Sequence, residues 1–245
     1  MTDEGQKGER ISKRMARAGV CSRRDAERLI AEGRVKLNGK VLESPAINVS
    51  ESDRIEVDGI RVGGKERTRL WRYHKPRGLV TSHRDEKGRQ TIFESLPPDM
   101  PRVISVGRLD LTSEGLLLLT NNGELSRHLE LPATGWTRKY RVRAFGEISQ
   151  QRLDSLKDGI RIDGVLYAGI DAEIEREQGD NMWLEMTLRE GKNREIRKVL
   201  EFLGLKVNRL IRVSYGPYHL GLLEEGMVEE VSPKAIREAL GGKFS

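Results

Sequence analysis

One cysteine, Cys21, occurs in 245 residues, so no internal disulfide can form, which suits a reducing compartment. The four histidines, His74, His83, His128 and His219, are widely scattered, and with a lone cysteine they offer no metal-ligand spacing. No apolar run approaches the roughly 18 residues of a spanning helix. The opening MTDEGQKGER lacks the apolar core of a signal peptide, so a cytoplasmic protein that does not meet a membrane is expected. Gly-x-Gly-x-x-Gly and P-loop patterns are missing, which leaves nucleotide cofactors without support. Gly-x-Ser-x-Gly is missing too, and Cys21 has no histidine near it in sequence; it reads as structural. There is no internal repeat and no low-complexity tract.

What is present is charge. Hydrophobic residues make up 36% and charged residues 33% of a chain with formal net charge +6, the composition of a globular protein with a heavily charged surface. The excess is modest, so its distribution matters more than its size. Between Arg10 and Lys40 ten basic residues face three acidic ones, Asp25, Glu27 and Glu32, whereas from Val41 to Glu66 three basic residues face six acidic ones. Positive charge gathered at one end of a small unit is the footprint of a surface that meets phosphates.

Within that unit, Ile11, Met15 and Ala18 recur at helical spacing and Gly19 ends the helix, leaving Arg10, Lys13, Arg14 and Arg17 off the apolar stripe. Ser22 with Asp25 three residues later predicts the start of a second helix, with Ala26, Leu29 and Ile30 inward and Arg23, Arg24 and Arg28 outward. Val35 to Leu37 and Lys40 to Leu42 flank Asn38-Gly39, the pair that supplies the positive φ angles of a type I′ hairpin turn. The chain divides into a polar tail (1–8), this basic unit (9–60), a glycine-containing flexible linker (61–69) and a second domain (70–245). In the second domain LWRYHKPRGLVTS predicts strand, turn and short strand, and 83–90 an exposed loop. Further strands are expected over 103–106, 137–144, 160–162, 165–167, 172–176, 183–188 and 207–213. Helices are expected near 125–129, 149–158 and 196–203, with Ser232-Pro233 starting a last one. Strands dominate and occur largely as hairpins, which predicts an α+β domain with a mixed, mostly antiparallel sheet flanked by helices.

The second domain is organised around VGRLDLTSEGLLLLTNNG, Val106 to Gly123. Leu116 to Leu119 lie between a polar run and an Asn-Asn-Gly turn, as expected of a short strand buried on both faces. Asp110 stands just upstream, with Arg108 two positions before it. On spacing alone Asp110 is a reactive carboxylate or a turn residue; both readings are open.

The wording ISKRMARAGVCSRRDAERLIAEGRVKLNGK, with two helices before a small sheet, resembles the RNA-binding domain shared with the small-subunit ribosomal protein S-four, over about Glu9 to Gly59. GRLDLTSEGLLLLTNNGEL resembles the signature of the RNA pseudouridine synthases, in the RsuA/RluB branch. KPRGLVTS, TRKYRVRAFG and EGKNREIRKVLEFLGLKVNRLIRVSYGP resemble its other motifs in the same order. The resemblance implies a catalytic aspartate at Asp110, an active-site tyrosine at Tyr140, and at Arg197 the basic residue that pairs with the aspartate. It implies that Arg108 helps fill the space left by the target base. Lys75, Arg77, Lys139, Lys192 and Arg194 are candidate phosphate contacts around the site. Isomerising uridine to pseudouridine breaks and remakes one glycosidic bond without redox change, so it calls for neither metal nor cofactor. A carboxylate can divide that reaction by attacking either the ribose or the base. A neighbouring arginine would keep the carboxylate ionised. The third motif resembles the large-subunit enzymes more than the small-subunit one. The implied substrate is a uridine of bacterial 23S rRNA, with a 16S enzyme or a non-catalytic rRNA-binding factor as the alternatives. A monomer is expected.

Overall fold

The computed structural model describes residues 8–64 and 66–244; seven of the eight residues of the expected polar tail lie outside them. In the N-terminal domain, α1 (Ile11–Arg17) and α2 (Arg23–Ala31) pack over a four-stranded sheet of β1 (Val35–Leu37), β2 (Lys40–Val41), β3 (Ile55–Val57) and β4 (Ile60–Arg61). Ser22 Oγ accepts from the Asp25 backbone amide at 3.0 Å, the cap expected from the sequence. Asn38 and Gly39 both have positive φ, 52° and 83°, as their hairpin turn requires. Ile11, Met15, Ala26, Ile30, Val35 and Ile55 form the core, leaving the arginines between them at the surface.

This sheet reaches Arg61, and the Val62 amide donates to the Ile55 carbonyl at 2.9 Å. The expected linker therefore begins later than position 61, and its C-terminal part is anchored rather than free. The Arg69 amide donates to Asn121 Oδ1 (2.8 Å), Asn122 Nδ2 donates to Thr68 Oγ1 (2.9 Å), and the Arg69 guanidinium grips Glu230 through two bonds of 2.8 and 2.6 Å. Lys13 meets Glu124 of the second domain at 2.6 Å.

The second domain is built on one mixed sheet. Besides the two-residue strand Tyr218–His219, which turns back on its predecessor, its strands in chain order are β5 (Leu70–Lys75), β6 (Ile104–Val106), β7 (Glu114–Thr120), β8 (Arg138–Phe145), β9 (Ile170–Gln178), β10 (Asn181–Leu188), β11 (Lys206–Tyr215) and β12 (Val228–Glu230). The spatial order is β9-β10-β8-β11-β7-β5-β12, with β6 also on β7. The β7/β11 pairing is parallel and the others are antiparallel. The short strand expected after the Lys75–Gly78 turn is reduced to one bridge, Val80 to Thr91. Helices α3 (Gly123–Glu130), α4 (Gln150–Asp154), α5 (Glu195–Phe202) and α6 (Pro233–Leu240) flank the sheet.

All seven residues of β7 are buried. Leu116 and Leu118 join Leu125 and Leu129 of α3 and Ile236 of α6. Leu117 and Leu119 point the other way, to Trp71, Tyr73, Ile92 and Leu109. Burying each such side chain stabilises the fold by about 2 kcal/mol, so the strand that follows Asp110 is a rigid support. At Gly115 (φ 101°) a Cβ would collide with the backbone of Arg212. Glycine there is what lets β7 and β11 approach.

Candidate active site

Asp110 lies in the turn between β6 and β7, whose geometry is set by its backbone. Each carbonyl from Leu109 to Ser113 is held. Thr81 Oγ1 donates to Leu109 O (2.9 Å), the Gly78 amide to Leu111 O (2.8 Å) and Arg197 Nη2 to Thr112 O (3.2 Å). Lys75 Nζ donates to Asp110 O (3.2 Å), Ser113 O (2.9 Å) and Pro76 O (2.9 Å). The KPRGLVT segment is thus the cradle of the Asp110 turn.

Two sequence expectations are corrected here. Lys75, a candidate phosphate contact, is fully buried and its ammonium is spent on three carbonyls, so no phosphate reaches it. Burial pulls its pKa down to about 8 against the opposing fields of Asp110 and Glu114. The second concerns the partner of Asp110. The nearest cation to its carboxylate is Arg194, with Nη1 3.9 Å from Oδ2, whereas Arg197 turns its guanidinium to Thr112 O and Val207 O, each at 3.2 Å. The reason is backbone phase. Arg194 is the N-cap of α5 in a left-handed conformation (φ 51°, ψ 32°), which places it beside the cavity. Arg197, on the first turn of the helix, is carried beneath the Asp110 turn. Burial lowers the Arg197 pKa, Arg194 adds to that, and Asp110 opposes it.

Above the turn is a cavity of about 640 Å³ lined by Arg108, Asp110, Tyr140, Arg194 and Arg212 among others. Tyr140 lies on β8 directly across from Arg212 of β11, at a register shift between Lys139 and Tyr140; such bulges re-aim a side chain. Its ring is half-buried and packs against two of the hydrophobic clusters. Three further carboxylates line the cavity, and each is engaged. Glu130 accepts from Ser126 (2.6 Å) and Glu190 from the Ala168 amide (2.8 Å) and Lys192. Glu195 accepts from the Lys192 amide (2.8 Å), and burial pushes its pKa up to about 7. The Asp110 carboxylate accepts no hydrogen bond from the described residues; Arg194 is the one cation paired with it.

Of the other expected RNA contacts, Arg108, Lys192 and Arg194 are exposed and line the cavity, and Arg77 is exposed close enough to act on Arg197. Lys139 is held by Glu185 at 2.6 Å. In the N-terminal domain Arg10, Arg23 and Arg24 are exposed. Lys13, Arg14 and Arg17 gather around Glu9 at 3.9, 3.9 and 2.9 Å, and Arg28 pairs with Asp25 and Glu32. Sequence reasoning missed Arg138 and Arg212, two arginines buried in the cavity wall. The signal was available for Arg212: in RLIRVSY the inward positions are Leu210, Arg212 and Ser214, and a charge at an inward strand position is rare without a purpose. Among the described residues no group of three or more His, Cys, Asp or Glu is placed to hold a metal ion. No described helix is long and apolar enough to cross a membrane.

Residues 69–202 match the family described as RNA pseudouridylate synthase, and residues 9–55 match the S4 domain. An uncharacterized RNA pseudouridine synthase of Rickettsia felis is 48% identical over 230 residues, covering 94% of this chain and 100% of that protein. The ribosomal large subunit pseudouridine synthase B of Yersinia pestis is 39% identical, covering 91% of this chain and 72% of that one. A crystal structure of a pseudouridylate synthase superposes with a TM-score of 0.67 at 25% identity, over 95% of this chain and 100% of that chain. With Asp110 lining the cavity and an S4 domain ahead of it, the chain belongs to the RNA pseudouridine synthase family.

Proposed function

We propose that this enzyme isomerises a uridine of large-subunit (23S) rRNA and that Asp110 is its nucleophile. The observation that carries the catalytic assignment is the state of the carboxylates. Four line the cavity, and of these Asp110 is the one neither of whose oxygens accepts a hydrogen bond from a described residue, while Arg194 stands 3.9 Å away as its ion-pair partner. The turn beneath it is immobilised by bonds to five successive carbonyls, so the nucleophile needs little reorganisation to attack. A flipped uridine, taken out of its stack at a cost of a few kcal/mol, would lie against Tyr140. Arg108, Lys192 and Arg194 would receive the flanking phosphates at the rim. Arg10, Arg23 and Arg24 of the S4 domain add a second basic surface that positions the rRNA without reading its sequence.

The large subunit is favoured by the Yersinia pestis relative, whose name specifies that substrate and which shares 39% of residues over most of this chain. The test is to map pseudouridines in rRNA from cells with and without the protein. Loss of a 23S site is the expected result. Loss of a 16S site would move the enzyme to the small subunit, and an unchanged map would sink the proposal.

A further inference from the structure

Arg212 has no role in the chemistry above, yet its surroundings are those of a group waiting for a partner. It is 3% exposed. Its Nε donates to Leu116 O at 2.7 Å, while its Nη2 has no acceptor among the described groups. Neither nearby carboxylate serves it: Glu114, on the adjoining strand, is held by Arg209, and the ion pair of Asp110 is with Arg194, not Arg212. A buried donor without an acceptor is unfavourable, and more so when it is charged. Arg212 lines the same cavity as Asp110. It stands directly across from Tyr140 in the β8/β11 register, so the two side chains leave the sheet on one face as neighbours. The Tyr215 ring, 5.2 Å from the guanidinium carbon, lies beside it. A base stacked on Tyr140 would turn its edge toward Arg212.

We propose that Nη2 of Arg212 donates a hydrogen bond to a carbonyl oxygen of the target uracil and stabilises the negative charge that develops there. The inference rests on the reading of Asp110 as nucleophile, but not on which carbon it attacks. Attack at C1′ breaks the C1′–N1 bond, and the electron pair passes to N1 and onto O2 and O4. Attack at C6 forms an O–C6 bond and moves the C5–C6 pair onto C5 and O4; C5 then bonds to C1′ as the C1′–N1 bond breaks, its pair staying on N1. By either route charge collects on a carbonyl oxygen. It is discharged once C5 is joined to C1′, the C5 proton leaves, N1 gains a proton and Asp110 is released. A fixed, buried donor at that oxygen acts as an oxyanion hole does, because it is already oriented when the charge appears.

The experiment uses the full-length enzyme and a transcript carrying the mapped uridine, or 2-thiouridine or 4-thiouridine in its place. Sulfur is the weaker acceptor, so the wild type should slow on one of the two thio substrates. Arg212→Gln should lose about 100-fold in kcat, as when an oxyanion-hole donor is removed, with KM changed by no more than about threefold. It should show no further slowing on that thio substrate. Added guanidinium should restore part of the activity of Arg212→Ala. A wild type indifferent to both sulfur substitutions overturns the inference without recourse to any variant. So does an Arg212→Gln enzyme whose kcat is intact while KM rises, which would make Arg212 a phosphate contact. If the wild type forms no pseudouridine, or Asp110→Asn remains active, the reading of Asp110 fails and this inference falls with it.

Discussion

The arginines and lysines of the two domains are the same residue types in different employment. In the S4 domain they stand on helices whose opposite faces fill a small core. Arg10, Arg23 and Arg24 point to solvent, and Lys13, Arg14 and Arg17 are drawn together by Glu9. In the catalytic domain Lys75, Arg138 and Arg212 are buried and donate to backbone carbonyls and one tyrosine hydroxyl, with Nη2 of Arg212 left without an acceptor among the described groups. Arg10, Arg23 and Arg24 are free to exchange water and counterions for phosphates. The second set shapes the turn and the wall of the cavity, where each lost bond strands a buried acceptor.

Substitutions separate the two sets. Lys75→Met should have the largest effect on the fold, because three carbonyls lose their donor; a loss of about 3 kcal/mol is expected in urea titration, with kcat falling as the Asp110 turn loosens. Stability no lower than wild type would mean that the ammonium contributes nothing net. Glu195 probes a buried group of opposite sign. Its folded-state pKa of about 7 lies above its ordinary value of 4.5, so the folded protein keeps a proton that the unfolded chain releases. The stabilisation is complete below the ordinary value and is lost as pH rises through about 7, on the order of 2 kcal/mol. Urea midpoints at pH 5 and pH 8 should therefore differ more for wild type than for Glu195→Gln. In the S4 domain, Arg23→Ala and Arg24→Ala together should weaken rRNA binding about tenfold and lower the salt slope by roughly two, without changing the melting temperature. Arg17→Ala, whose charge is already met by Glu9, should lose less. The smallest effect belongs to Ser22→Ala, which removes the cap of the helix carrying Arg23 and Arg24 and should cost about 1 kcal/mol.

Patterns carried by neighbours in sequence were legible before folding. The four leucines of β7 divide between two cores as their run predicts, and the Asn38-Gly39 turn and the caps at Ser22 and Ser232 are in place. The motifs also brought Asp110 and Tyr140 to one cavity. What sequence could not convey were contacts made across long separations. Lys75 ends a strand and precedes a turn, which resembles an exposed position until the Asp110 turn closes over it. Arg194 and Arg197 are three residues apart, and only the left-handed start of α5 decides which of them faces the carboxylate. The edge strand β12, Val-Glu-Glu, has too little apolar content to be seen alone; it forms because Leu70 to Lys75 offers it an edge.

The proposed isomerisation rests on a single carboxylate, Asp110, held on an immobilised turn. It is tested most directly by purified Asp110→Asn and wild-type enzyme on a 23S rRNA transcript, with pseudouridine counted by nucleoside analysis and RNA affinity measured alongside. Pseudouridine should be undetectable with the variant while affinity and melting temperature stay close to wild type. A variant that still forms pseudouridine would contradict the account.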